Sequence, residues 1–264
     1  MIDSVEKLSI QRVTKEGKED TDNIVVKELP LTIILNNQEL VTLLCSPADL
    51  KYLAIGFLFS EGLLSSKDEI RKITVDERRG VVRVETKGDK EFTDDIIFKR
   101  MITSGCGRGA SFYSAADVQG QVKVESQASI SADEVLVLAK KFQYRSQIYR
   151  ATHGVHSAAL CDNKSILVFN EDIGRHNAID KILGECILKD IATNDRIIIT
   201  SGRISSEILL KVAKRNIPLL ISKSAPTTLG VRLAHDLGVT LIGFVRGGRM
   251  NVYANGWRIV TNGR

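Results

Sequence analysis

Residues 196–244 read RIIITSGRISSEILLKVAKRNIPLLISKSAPTTLGVRLAHDLGVTLIGF. Three apolar strand-like runs stand out here: Arg196–Thr200, Pro218–Ser222 and Val239–Phe244. They are separated by single helical stretches, Ser205–Arg215 and Thr227–Asp236. Strands alternating with single helices are the signature of parallel crossover units, so this stretch sets an α/β class.

The pattern extends upstream. Strands are expected at Ser157–Cys161 and Ser165–Phe169, with a helix over Arg175–Cys186. Ser131 followed by Glu134 is a capping box, and it opens a helix through Val135, Leu138, Ala139 and Phe142. The small, polar stretch Ala110–Ile130 reads as a connection between domains. A short closing hairpin is expected from Asn251–Tyr253 and Arg258–Val260, around Asn255-Gly256.

The N-terminal half has a different grammar. Residues 1–22 read as a frayed lead-in. Ile24–Leu35 and Leu40–Cys45 are β-favouring runs split by Asn36-Asn37, a hairpin signal. Ser46-Pro47 is expected to open a helix with serine as its N-cap, running through Leu50, Leu53, Ala54, Phe57 and Leu58 to Gly62. Strands follow at Ile70–Val75 and Val81–Glu85. The whole predicts a smaller α+β domain over 1–125 and an α/β domain over 126–264.

Polar residues gather where the C-terminal strands hand over to helices. The junctions are Glu171–Asn177, Thr200–Glu207, Ser222–Thr227 and Phe244–Arg249. In open α/β sheets, ligands bind at the carboxyl ends of the strands. Small hydroxyl residues and helix N-termini there suit phosphate, and Arg203, Arg246 and Arg249 add bidentate donors. Helix caps use the same residue types, so no single junction decides the matter. Charge supports an anionic ligand. Nine Lys or Arg lie between Arg196 and Arg249, and no acid follows Asp236. The basic residues form no run and aromatics are scarce, which argues against nucleic acid.

His153 and His156 have the spacing of half a zinc site, but neither paired cysteines nor suitable carboxylates complete it. The expectation is no metal. His176 reads equally well as a structural or a ligand-facing histidine.

The loop Thr103-Ser104-Gly105-Cys106-Gly107-Arg108-Gly109 carries one thiol among three glycines and an arginine. Arginine favours the reactive thiolate. An unperturbed thiol near pKa ~8.5 is only a few per cent ionised at neutral pH, and a drop of ~1.5 units makes it about half ionised. Cys45, Cys161 and Cys186 instead lie in apolar stretches and read as core residues. Four spread cysteines in 264 residues do not resemble a disulfide framework. No run reaches the ~18 apolar residues of a membrane span. The polar N-terminus is unlike a signal peptide, and a cytoplasmic location is expected.

Together these blocks resemble the FdhD family of formate dehydrogenase accessory sulfurtransferases. The likeness rests on the cysteine loop, EDIGRHNAIDK at Glu171–Lys181, Ser201-Gly202-Arg203, Ser224–Thr227, Phe244–Arg249 and PADLKYLAIGFLFSEG at Pro47–Gly62. It implies a homodimer that accepts persulfide sulfur from a cysteine desulfurase onto Cys106. The sulfur then passes to the molybdenum cofactor in its bis(molybdopterin guanine dinucleotide) form, before insertion into formate dehydrogenase. It implies a cytidine-deaminase-like, three-layer C-terminal domain. Phe244, Val245, Arg246, Gly247, Gly248 and Arg249 match the cofactor-binding segment, with Arg203, Ser224, Arg175, His176 and His153 beside it. Many members carry a second loop cysteine where this chain has Gly109, so a mechanism needing two thiols is disfavoured. The deaminase zinc positions hold His176, Thr227 and Gly230, which cannot replace a glutamate and two thiolates. A cofactor chaperone that moves no sulfur, and a nucleotide-binding relative of deaminases, remain the alternatives.

Overall fold

The structure is a computed structural model and describes residues 4–88 and 123–261. The chain is mixed α/β. In the C-terminal part, strands β8 (His156–Cys161), β9 (Ile166–Asp172), β10 (Ile197–Thr200), β11 (Leu219–Ser222), β12 (Thr240–Arg246) and β13 (Arg249–Ala254) form one sheet in the order 13-12-11-10-8-9. Strands β10, β11 and β12 run parallel, as their crossover helices require. Strand β13 adds an antiparallel edge on one side, and β8 and then β9 extend the sheet antiparallel on the other.

Side-chain alternation along these strands builds three layers. Ile198, Leu220 and Leu241 face helices α4 (Arg175–Leu188), α5 (Ser206–Ala213) and α6 (Thr228–Asp236). Ile197, Ile199, Leu219, Ile221 and Ile242 face the opposite way, onto α2 (Ala132–Arg145). The two apolar faces explain why these strands are apolar throughout. The capping box of α2 forms as the sequence predicts: Glu134 N donates to Ser131 Oγ, and Ser131 N donates to Glu134 Oε2.

The N-terminal part is a four-stranded sheet of β3 (Leu29–Leu35), β4 (Gln38–Cys45), β5 (Ile70–Asp76) and β6 (Val81–Thr86), in the order 4-3-6-5. Asn36 and Asn37 both take positive φ, 47° and 66°, and make the tight β3–β4 turn their residue types allow. Helix α1 (Leu50–Ser60) covers one face of this sheet and lies against α4 on its other side. The two helices cross with glycine on both. A Cβ at Gly56 would stand 1.8 Å from the carbonyl oxygen of Asp180, and one at Gly184 would stand 2.0 Å from that of Tyr52. Buried charge ties the crossing. Lys211 Nζ meets Asp180 Oδ2 at 2.5 Å, and Ser60 Oγ donates to Asp180 Oδ1.

Four expectations from the sequence are corrected. Residues 1–22 are not a simple lead-in: β1 (Val5–Thr14) and β2 (Gly17–Val26) pair along their whole length as an antiparallel hairpin. It was hidden because its side chains are mostly exposed. Cross-strand polar pairs decorate it instead, such as Lys7–Asp22 and Arg12–Glu19. Secondly, Ser46 does not cap α1. The helix starts at Leu50 after Asp49 in a left-handed conformation, while Ser46 Oγ accepts from Ile173 N across the crossing. Thirdly, a short helix α3 (Gln147–Thr152) follows α2 where none was expected. Finally, the C-terminal hairpin does not form. β13 pairs with β12, and β14 (Ile259–Val260) pairs with β7 (Ile130–Ser131). Arg258 dictates this: it is 1% exposed and donates to the carbonyls of Gly238 and Ser126. Those groups hold it inside the fold, not beside β13.

Candidate functional site at the strand ends

The fold draws the polar junctions together. Lys223 N donates to Thr200 O, and Ser222 Oγ donates to Gly202 O, which joins the ends of β10 and β11. Ile204 N donates to Ala225 O and Thr227 N to Ile204 O, and Phe244 N donates to Ser224 O. The first junction of the series reaches the second through side chains. Gly202 lies under Arg175, whose Cβ would be 2.8 Å from any Cβ placed there, and His176 Nε2 is 3.4 Å from Ser205 Oγ. Some of the hydroxyls are used as caps: Ser205 Oγ accepts from Ile208 N and Thr227 Oγ1 from Gly230 N.

A cavity of about 310 Å³ opens at this end of the sheet. Phe142 and Tyr149 contribute apolar wall; Ser146, Ser157, His156 and Lys223 contribute polar groups. His153 lies at its mouth, exposed, with its ring edge-to-face on Tyr149 at 4.9 Å. Ser201 Oγ accepts from Ser157 N and lies 3.3 Å from His156 Nδ1, fixing the ring. Burial, and then the Arg175 guanidinium, pull His156 below the usual histidine range, so it is held neutral. Burial also pulls the Lys223 ammonium below the ordinary lysine value.

His176 sits deeper and is 6% exposed. The Glu207 carboxylate, 3.2 Å from Nε2, would favour its cation. Burial outweighs this, and the positive charges of Lys211 and Arg175 add to it, so its pKa falls to about 3. His176 is therefore a neutral, hydrogen-bonded ring within the wall, with little surface to offer a ligand.

The Phe244–Arg249 segment is built differently. Phe244 takes φ 53°, a strained value for a bulky residue, at an irregularity between Gly243 and Arg246. Val245 points into the core against α2, while Arg246 lies 5.7 Å over the Phe244 ring. Gly247 and Gly248 take positive φ and turn the chain into β13 with Arg246 and Arg249 exposed on either side. Arg203 is exposed and Ser224 half-buried. The sequence thus named residues that do gather at one end of the sheet, with Val245 and His176 the two that face inward. It passed over Lys223, Ser146, Ser157 and Tyr149 as individual site residues. Lys223 stood within a quoted junction; Tyr149 lies on the short helix that periodicity missed.

His153 and His156 do not converge on a metal, and no group of three or more potential metal-ligating side chains exists among the described residues. Cys45, Cys161 and Cys186 are buried, and burial pushes each thiol up to about 12. Cys106 and its loop lie outside the described residues. Among the described residues no helix is long and apolar enough to cross a membrane.

Comparison with known proteins adds the final observations. The model of the FdhD/NarQ family matches residues 26–260. A Bacillus pumilus (strain SAFR-032) protein named sulfur carrier protein FdhD is 45% identical over 258 residues, covering 97% of this chain and 98% of its own. A Bacillus subtilis (strain 168) protein of the same name is 47% identical over 240 residues, covering 89% and 90%. A crystal structure from Desulfotalea psychrophila, described as a formate dehydrogenase accessory protein, superposes with a TM-score of 0.80 at 27% identity. The match covers 97% of this chain and 99% of that one.

Proposed function

The chain belongs to the FdhD/NarQ family, and on that premise we propose that it is a sulfur carrier serving a formate dehydrogenase. Cys106 is the carrier. One observation supports this assignment above others. Every cysteine in the described residues is sealed in a core with its thiol pushed up to about 12, and such thiols are not nucleophiles at neutral pH. A cysteine relay therefore falls to Cys106, in its glycine- and arginine-rich loop.

In the first step the Cys106 thiolate attacks the outer sulfur of a cysteine desulfurase persulfide. The donor's S–S bond breaks, its thiolate leaves, and Cys106 becomes the persulfide with no net redox change. The acceptor substrate is the molybdenum cofactor in its bis(molybdopterin guanine dinucleotide) form. Its anionic nucleotide ends fit the basic strand ends, where Arg203, Arg246 and Arg249 are exposed. The protein contributes position and charge; the metal chemistry belongs to the cofactor. A cytoplasmic homodimer, with residues 1–125 and 126–264 as its domains, completes the reading.

Incubation with a desulfurase and cysteine should add one sulfur atom to Cys106, read by peptide mass spectrometry. Cys106→Ser should abolish activation of formate dehydrogenase while GDP still binds. Sulfur loaded on another cysteine, or full activation by Cys106→Ser, would overturn the proposal.

A further inference from the structure

The two outer strands of the C-terminal sheet are finished differently. At one edge β13 begins with Arg249, and its pairing with β12 is interrupted twice. Breaks and charge of this kind stop an edge from recruiting further strands. The other edge is β9, with the sequence ILVFNED. It holds neither lysine nor proline, and among the described residues it pairs with β8 alone. Its single irregularity leaves Leu167 unpaired and 43% exposed, and beyond it Val168–Asp172 keep regular register. A regular, apolar edge of this kind is a template for one more strand.

Two openings run beside this edge. The larger, about 760 Å³, has Ser165 and Ile166 on the strand side and Val137, Lys140, Lys141 and Tyr144 of α2 opposite. The smaller, about 540 Å³, continues past Phe169 and Glu171 to Asp49. Tyr144 and Arg145 border both, so the two form one trough along β9. Its walls include exposed apolar surface: Val137 is 50% and Tyr144 62% exposed. Its charge is unbalanced. Lys140, Lys141 and Arg145 are exposed, no carboxylate lines the larger opening, and among the described residues none of the three meets a carboxylate. The carboxylates of the trough, Asp49 and Glu171, line the smaller opening.

We infer that this trough is a docking groove for an extended segment of a partner protein, which adds to the sheet beside β9 and sets acidic side chains against Lys140, Lys141 and Arg145. An edge strand supplies main-chain hydrogen bonds for affinity, and the walls beside it select alternate side chains. Small inorganic anions would leave Val137 and Tyr144 uncovered. A neutral apolar strand would leave three cations unanswered. Asp49 and Glu171 confine the acidic part of the segment to the half beside Ser165 and Ile166. The inference is independent of the sulfur relay, since docking here and persulfide loading of Cys106 are read by different experiments.

The probe is a fluorescein-labelled peptide, Glu-Val-Glu-Val-Thr-Val-Ser, titrated against the full chain and followed by anisotropy. Its counterpart carries lysine in place of both glutamates. We expect the glutamate peptide to bind at least about tenfold more tightly, and added salt to narrow the gap. Hydrogen exchange of the Ile166–Asp172 amides should slow when it binds, which a merely electrostatic contact on α2 would not cause. Lys140→Glu together with Lys141→Glu should weaken binding about tenfold, and Tyr144→Ala about fivefold. All three side chains are exposed, so thermal unfolding of these variants should match that of the unaltered chain. No binding of the glutamate peptide, equal binding of the two peptides, unchanged exchange in β9, or full affinity in the charge-reversed variant would each overturn the inference. Sedimentation supplies a further outcome: an oligomer that the charge reversal splits, with no peptide bound, would assign the trough to a second copy of the chain and overturn it too.

Discussion

Lys181 and Lys223 are both withdrawn from water, and the fold treats them in opposite ways. Lys181 is fully buried, and its three protons meet Asp172 Oδ2 at 2.7 Å, Glu171 O at 3.2 Å and Ser46 O at 3.4 Å. Asp172 in turn accepts from Ser46 N, Gly174 N and Asn177 Nδ2. Every hydrogen-bonding site of this pair is filled by its own chain, and the elements it joins are β9, α4 and the segment leading into α1. Lys223 is half-buried beside a cavity, with no carboxylate partner among the described residues. The first arrangement has no capacity left for a ligand and fixes geometry. The second keeps capacity unspent at some cost in desolvation. Charge withdrawn from water marks a ligand site only where its bonds are left open.

The contrast breaks first at Lys181. Lys181→Met leaves Asp172 buried and unpaired, and should cost about 4 kcal/mol, read by urea unfolding. A loss under about 1 kcal/mol would show that the crossing is not sealed as described. The next effect comes from acid. The folded protein keeps His176 neutral down to about pH 3, whereas the unfolded chain takes up a proton near 6.5. Its share of stability is thus full above pH 6.5 and drains as the pH falls towards 3. The loss reaches about 2 kcal/mol by pH 5, and His176→Gln should flatten the profile by that amount. The smallest effect is at Lys223. Lys223→Met should shift unfolding by no more than about 0.5 kcal/mol, since no ion pair is lost. A large destabilisation there would make Lys223 a second structural lysine.

What could be read from residue order was what repeats or alternates. The runs of residues 196–244 place three parallel strands, and Ser131 with Glu134 places the start of α2 within a residue. The junction residues gather because strand ends of a parallel sheet must lie side by side. Features set by distant contacts were invisible. Ser46 is used by Ile173 and Asp172, partners far along the chain, and not by the next turn. Arg258 is drawn inward by carbonyls of Val124, Ser126 and Gly238. The glycines at 56 and 184 betray nothing until two helices are seen to touch there. Tyr149 and Lys223 needed the cavity itself, since neither residue type is unusual at its position in the chain.

The β1–β2 hairpin carries a consequence of its own. Among the described residues its strands pair only with each other, and their side chains are largely in solvent. Unzipping it uncovers little apolar surface, so it can breathe without waiting for the rest of the molecule to melt. Its amide protons will trade with solvent while those of the crossing helices hold, and a protease will cut this arm before it cuts those helices.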